Sequence, residues 1–222
     1  MFNILFDFPC NKFKTKHLNI IVYICNHMSI KVNNIDLRIL NLFTKSYNIE
    51  YYIREIERAL EVSSRTSLVT LAKLEKIGIL KSQTRGKIKL YSINKSKLSK
   101  SFFVLTENYK KIQFINKYPV ISEIIEKTDE FTNGIVLIFG SYAKELQNNN
   151  SDLDLFIVGK YNTEKIKEIG KKYQIEINVK SYPKKIFYKE LHSDILLKEI
   201  MKNHIIIKGV EQFVNRAIKW TQ

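Results

Sequence analysis

The chain of 222 residues is poor in most of the residues from which ligand frameworks are built. It has two cysteines, Cys10 and Cys25, with no C-x-x-C pair, and four scattered histidines, His17, His27, His192 and His204. A disulfide scaffold and a zinc site of conventional spacing are thereby excluded. Glycine occurs seven times, and neither a G-x-x-x-x-G-K-[ST] phosphate loop nor a G-x-S-x-G nucleophile elbow is present. The apolar stretch Leu18 to Cys25 (LNIIVYIC) is about half of what a membrane-spanning helix needs, and no small-residue cleavage site follows it. The expectation is a cytoplasmic protein without a membrane partner. Acidic residues are also scarce, 22 against 37 lysines and arginines, and the formal charge of +15 surrounds the chain with a field that favours polyanions such as nucleic acid or nucleotide phosphates.

What is abundant is apolar and aromatic. Hydrophobic residues make up 45% of the chain, including 13 Phe and 12 Tyr, enough to bury the core of one domain or two. Met28 opens a segment, MSIKVNNIDLRIL, that reads as a natural start, so residues 1–27 are expected to be either a poorly structured extension or the product of a misplaced start codon. From Ile35 the apolar residues Ile35, Leu37, Ile39, Leu40, Leu42 and Phe43 approach helical spacing, with Asp36 in the first turn. A second helix is expected from Ile49 to Leu60. A third follows a serine cap and ends at Gly78. The period then changes to two in ILKSQTRGKIKLYSI, which predicts two short strands around Thr84-Arg85-Gly86.

Three helices and a basic hairpin in this order resemble archaeal winged helix-turn-helix regulators over residues 34–94, and the stretch SSRTSLVTLAKLEKIGILKSQTRGKIKLYSIN is similar to their recognition helix and wing. The domain is expected to span residues 28–98. Between Ser63 and Lys100 stand ten basic residues, Arg65, Lys73, Lys76, Lys81, Arg85, Lys87, Lys89, Lys95, Lys97 and Lys100, against one acidic, Glu75. Such a bias suits phosphate neutralisation, although a solvated face of a lysine-rich protein or a winged helix used for dimerisation would show it too. If the module binds DNA, the resemblance implies contacts from Ser64, Arg65, Thr66, Ser67 and Thr70 at the start of the third helix, and from Arg85 and Lys87 at the wing.

Residues 99–130 read as an amphipathic helical connector, and residues 131–222 as a small mixed α/β domain whose strands are expected at Ile135 to Phe139, Asp152 to Val158, Gln174 to Lys180 and His204 to Lys208. Within it lies IFGSYAKELQNNNSDLDLFIV. Asp152 and Asp154 are two apart at the entrance of an apolar strand, so both project from one face while Leu153 and Leu155 point into the core. Two adjacent carboxylates repel, and hard divalent cations make the pairing tolerable. Gly140 permits a sharp turn close to a ligand, and Ser141 adds a hydroxyl.

FGSYAKELQNNNSDLDLFIV closely resembles the signature of the DNA polymerase beta-like nucleotidyltransferase superfamily, in particular its minimal single-domain members, over about residues 105–210. The overall fold class is therefore α+β: a winged helix-turn-helix followed by a small nucleotidyltransferase domain. The resemblance implies phosphate binding at Gly140 and Ser141 and divalent metal, Mg²⁺ or Mn²⁺, on Asp152 and Asp154. It also implies a third carboxylate on the adjacent strand, for which Glu176 in YQIEINVKSYP is the candidate; Glu176 and Asn178 share one strand face. The implied chemistry is two-metal in-line displacement. It moves a nucleoside monophosphate, AMP from ATP, to a hydroxyl acceptor: a protein side chain such as that of a small helical toxin partner, a small molecule or an RNA end. Lys144 is a candidate phosphate ligand. Two departures stand out: Glu145 occupies a position where many relatives carry glycine, and the third carboxylate is Glu rather than Asp. The competing expectation is a DNA-binding regulator whose nucleotidyltransferase-like domain senses nucleotide without turnover.

Overall fold

The computed structural model describes residues 20–24, 28–148, 151–191 and 193–219. The expected extension up to residue 19 lies outside the described residues, and so does Trp220, where the sequence pattern expects the final helix to end. The chain opens with an antiparallel hairpin, β1 (Ile20–Ile24) and β2 (Met28–Val32), with Ile20 opposite Val32. Part of the segment expected to lack structure is thus a strand, because the β-branched run at 20–24 finds a partner in β2, whose Ile30 and Val32 are buried.

α1 (Asn34–Thr44) starts at a reciprocal cap: Asn33 accepts from the Asp36 N–H at 3.0 Å, and the Asp36 carboxylate accepts from the Asn33 N–H at 2.8 Å. β3 (Tyr51–Tyr52) precedes α2 (Ile53–Leu60), so the expected second helix begins four residues late. Tyr51 and Tyr52 pair with Tyr91 and Leu90 on a neighbouring strand instead, where aromatic side chains pack well. α3 (Ser64–Lys76) is capped by Ser63, and Gly78 at φ +75° turns the chain out of it. β4 (Leu80–Arg85) and β5 (Ile88–Ile93) follow, and the three strands lie in the order β3-β5-β4. Thr84 and Arg85 still pair with Lys89 and Ile88, which leaves Gly86 and Lys87 as the turn.

α4 (Lys97–Lys117) is stopped by Pro119, which starts α5 (Pro119–Asp129); a proline ring disfavours helical geometry at the preceding residue, and Tyr118 is non-helical at φ −126°, ψ 73°. Then come β6 (Thr132–Phe139), the single turn α6 (Gly140–Ala143), β7 (Leu153–Tyr161), α7 (Thr163–Tyr173), β8 (Ile177–Tyr182), α8 (Lys184–Glu190), α9 (Ile195–Lys202), β9 (Ile205–Lys208) and α10 (Val210–Lys219). Four strands form one sheet, β8-β7-β6-β9, in which β7 and β8 are parallel and the other neighbours antiparallel. α7 is the crossover that a parallel pair demands.

The alternation of β7 divides the interior in two. Leu153, Leu155 and Ile157 face a core with α5 and α7, while Phe156 and Val158 face a core that runs on through α4, α8, α9 and α10 into α1 and α3. α4 therefore belongs to both lobes. At its centre is a buried polar joint. The Tyr47 hydroxyl donates to Glu107 Oε1 at 2.6 Å, Lys110 Nζ lies 2.8 Å from Glu107 Oε2, and His204 Nε2 lies 3.1 Å from Glu107 Oε1. Tyr47 belongs to the N-terminal lobe, Glu107 and Lys110 to α4, and His204 to the approach to β9. Among the described residues, no helix is long and apolar enough to cross a membrane.

Candidate active site

Three chain segments meet at one end of the four-stranded sheet. β6 delivers Gly140, β7 delivers Asp154 with Asp152 just ahead of it, and β8 delivers Asn178. The register fixes the neighbours: Phe139 is opposite Asp154 across the antiparallel pair, and Asp154 is level with Asn178 across the parallel one. Leu153 and Leu155 are fully buried, so the two aspartates share the opposite face, as their spacing predicts.

Gly140 is required twice over. Its φ of +70° is in the left-handed region, and a Cβ at this position would lie 2.0 Å from Asp154 Oδ2. The carboxylate and the backbone turn therefore occupy adjacent space that only glycine leaves open. Ser141 is half-buried in the same turn, and its carbonyl accepts the Leu146 N–H at 3.0 Å. Tyr142 is buried and meets Tyr118 edge-on at 5.5 Å, which anchors the turn against α5.

Asp152 is exposed and Asp154 half-buried. Burial, first, and the neighbouring Asp152 charge, second, raise the Asp154 carboxyl above its ordinary value; Lys180 and a hydrogen bond from Asn178 oppose this without cancelling it. Asn178 Nδ2 also donates to Asp152 Oδ2 at 3.2 Å. A pair of like charges kept together at such a cost suits a hard divalent cation, and Asp152 and Asp154 offer oxygen donors of the right kind.

The remaining expected residues are placed differently from one another. Glu176 is exposed, one residue ahead of β8, and its carbonyl accepts the Leu153 N–H at 2.8 Å. Among the described residues no three His, Cys, Asp or Glu side chains gather where a metal ion could be held. Lys144 forms an ion pair with Glu199 of α9 at 2.7 Å, which engages its ammonium with that helix. Glu145 adopts φ +58°, a conformation glycine takes without strain, and its carboxylate is paired with Lys117 at 2.6 Å. Its charge is thus turned toward α4.

The period-two pattern put Glu176 and Asn178 on one face, but which of them stands level with Asp154 depends on a register between strands far apart in sequence. Glu199 and Lys117 carried no local signal at all.

Residues 119–214 match the nucleotidyltransferase domain family. The matched segment begins at the first residue of α5 and ends within α10, so it contains the whole four-stranded sheet together with Gly140, Ser141, Lys144, Asp152, Asp154, Glu176 and Asn178. No curated protein and no solved structure matches the chain.

On the N-terminal lobe, Ser64 and Arg65 are exposed on α3 and Lys87 is exposed at the hairpin turn. Ser67 and Thr70, expected on the same face, are buried: the helical period puts them on the inner stripe with Leu71 and Leu74. Thr66 is half-buried and engaged in the cap, its N–H donating to Ser63 Oγ at 3.1 Å. The outward stripe consists of Arg65, Leu68, Val69, Ala72 and Lys76. Lys73 is paired with Asp36, Lys89 with Glu75 and Arg85 with Glu50, so part of the basic excess serves the lobe internally.

Proposed function

We propose that the C-terminal lobe transfers a nucleoside monophosphate, AMP from ATP, to a hydroxyl acceptor, and that the N-terminal lobe is a winged helix that holds duplex DNA. The observation that carries the first half is the contact between the Gly140 turn and the Asp154 carboxylate, inside a segment similar to nucleotidyltransferase domains. It sets a tight backbone turn, suited to phosphate oxygens, against a donor pair suited to a cation.

In this reading Asp152 and Asp154 hold Mg²⁺ or Mn²⁺. When bound, the cation neutralises phosphate charge and lowers the pKa of an acceptor hydroxyl. The turn at Gly140 and Ser141 receives the triphosphate, and Lys144 reaches it by exchanging Glu199 for a phosphate oxygen. The acceptor oxygen bonds to the α-phosphorus, its proton is lost, the bond from the α-phosphorus to the bridging oxygen breaks, and pyrophosphate leaves. A protein side chain, such as that of a helical toxin partner, is one acceptor class consistent with this chemistry.

The DNA half is supported by exposed Arg65, Lys76, Lys81 and Lys87 around α3 and the hairpin. Leu68 and Val69, 53% and 61% exposed, add apolar surface of the kind that meets thymine methyl groups.

The test is α-labelled ATP with Mg²⁺ or Mn²⁺ in a host lysate, comparing the wild-type chain with Asp152→Asn/Asp154→Asn. A labelled species that depends on both aspartates supports transfer and gives the acceptor class. A second reading, a DNA-binding regulator that senses nucleotide without turnover, is favoured by Asn178 beside Asp154 and by the Lys144–Glu199 pair. It predicts no label, and DNA affinity that shifts with ATP and Mg²⁺.

A further inference from the structure

We infer that this site takes a single divalent cation with its nucleotide, because Asn178 fills the position beside Asp154 from which another carboxylate would have to act. The inference rests on the nucleotide-handling reading above and specifies its metal stoichiometry.

Three features lead to it. First, the strand register puts Asn178 level with Asp154, and its amide already donates to Asp152 at 3.2 Å. A neutral amide satisfies the carboxylates by donating hydrogen bonds, and a second cation would find no charge there. Its carbonyl oxygen is a hard donor that a cation could draw round, but it neutralises nothing. Second, Lys180, two residues on along β8, carries a positive charge whose field acts on Asp154. By strand alternation this ammonium lies on the same face of β8 as Asn178, so it adds positive charge on the side from which a second cation would have to be held. Third, the carboxylate closest to Asn178 along the strand, Glu176, is exposed and precedes β8, and no three-carboxylate group forms among the described residues.

Asn178 is thus a determinant of stoichiometry. With Asn it ties the two aspartates together and limits the site to the cation that they hold. With Asp, the same strand position would aim an anionic oxygen at the space between β7 and β8.

The experiment is equilibrium dialysis of the full chain against Mn²⁺ and an ATP analogue with a methylene bridge between the α- and β-phosphorus, with both Mn²⁺ and nucleotide counted on the protein side. The wild type is expected to hold one Mn²⁺ per bound nucleotide. Asn178→Asp is expected to hold two, the second at least ten times tighter than any second ion on the wild type, and Glu176→Gln is expected to stay at one. Two ions on the wild type would overturn the inference while leaving the nucleotidyltransferase reading intact, and a fall to one in Glu176→Gln would then assign the second ion to Glu176. Asn178→Asp remaining at one, with unchanged thermal unfolding, would overturn the role given to Asn178. Absence of Mn²⁺-dependent nucleotide retention in wild type would remove the nucleotide-handling reading itself, and the inference with it.

Discussion

Two clusters of charge in this molecule are built on opposite rules. Around Glu107, every charge has a complement: a tyrosine hydroxyl, an ammonium and an imidazole converge on one carboxylate that has no exposed surface. Around Asp154, a second carboxylate stands where a cation would balance it. Burial alone would push Glu107 up, yet Lys110 and His204 outweigh it and hold the carboxyl at about 2. Burial and Asp152 push Asp154 the other way. The first cluster ties α4 to both lobes and contributes to stability; the second gives up stability to keep an anionic site ready for something from outside. Perturbed titration by itself would not separate them, since functional and structural charges both shift; the sign of the shift and the identity of the perturber do.

The comparison breaks most sharply at Asp154. Asp154→Asn is expected to reduce label transfer about 1,000-fold, roughly 4 kcal/mol of transition-state stabilisation, while thermal unfolding in metal-free buffer stays level or rises, because a repulsion has been removed. A fall in both would place Asp154 with Glu107 as a structural charge. Glu107→Gln should do the reverse. It leaves Lys110 and His204 buried with a neutral partner and is expected to cost about 3 kcal/mol in urea unfolding, with nucleotide affinity per folded molecule unchanged.

Gly140→Ala sharpens the same contrast by forcing the turn and the carboxylate apart. The added Cβ would overlap Asp154 Oδ2 at a φ of +70°, so a loss of about 2 kcal/mol is expected in unfolding. Mn²⁺ binding should fall with it. Retained Mn²⁺ binding would mean that the turn and the cation site are independent.

The legibility of the sequence follows the same division. Whatever depends on local spacing was readable: the three N-terminal helices with the hairpin, the α7 crossover, and Asp152 and Asp154 on one face opposite Leu153 and Leu155. Whatever depends on pairing across the chain was not. The strand at Tyr51-Tyr52 looks helical until Tyr91 and Leu90 stand beside it. Ser67 and Thr70 look like surface polar residues until the helix turns them inward under α1 and α2. The choice between Glu176 and Asn178 is a matter of register, and a shift of two residues along β8 preserves the face while exchanging the neighbour. The Glu107 joint includes a direct contact between residues 97 positions apart, Glu107 and His204, and no motif marks it.

The smallest expected effect is the most diagnostic of the contrast, because the two carboxylates should bend the pH dependence of stability in opposite directions. Glu107 is depressed from 4.5 to about 2, so its contribution is complete above pH 4.5 and is lost as the pH falls from there toward 2. Asp154 is raised from 3.8, so the folded state takes up its proton more readily than the unfolded chain. Its contribution is complete below pH 3.8 and is lost as the pH rises through the folded value. Going down from pH 7, the Asp154 contribution should therefore grow, while the Glu107 contribution shrinks from pH 4.5 downward. Asp154→Asn should lose the gain and keep the fall, and Glu107→Gln should keep the gain and flatten the fall. Urea midpoints measured between pH 7 and pH 3 without metal read both. Saturating Mn²⁺ should abolish the gain in the wild type and in Glu107→Gln alike, since a cation bound to the ionised pair opposes protonation of Asp154; a gain that survives Mn²⁺ would place the ion elsewhere.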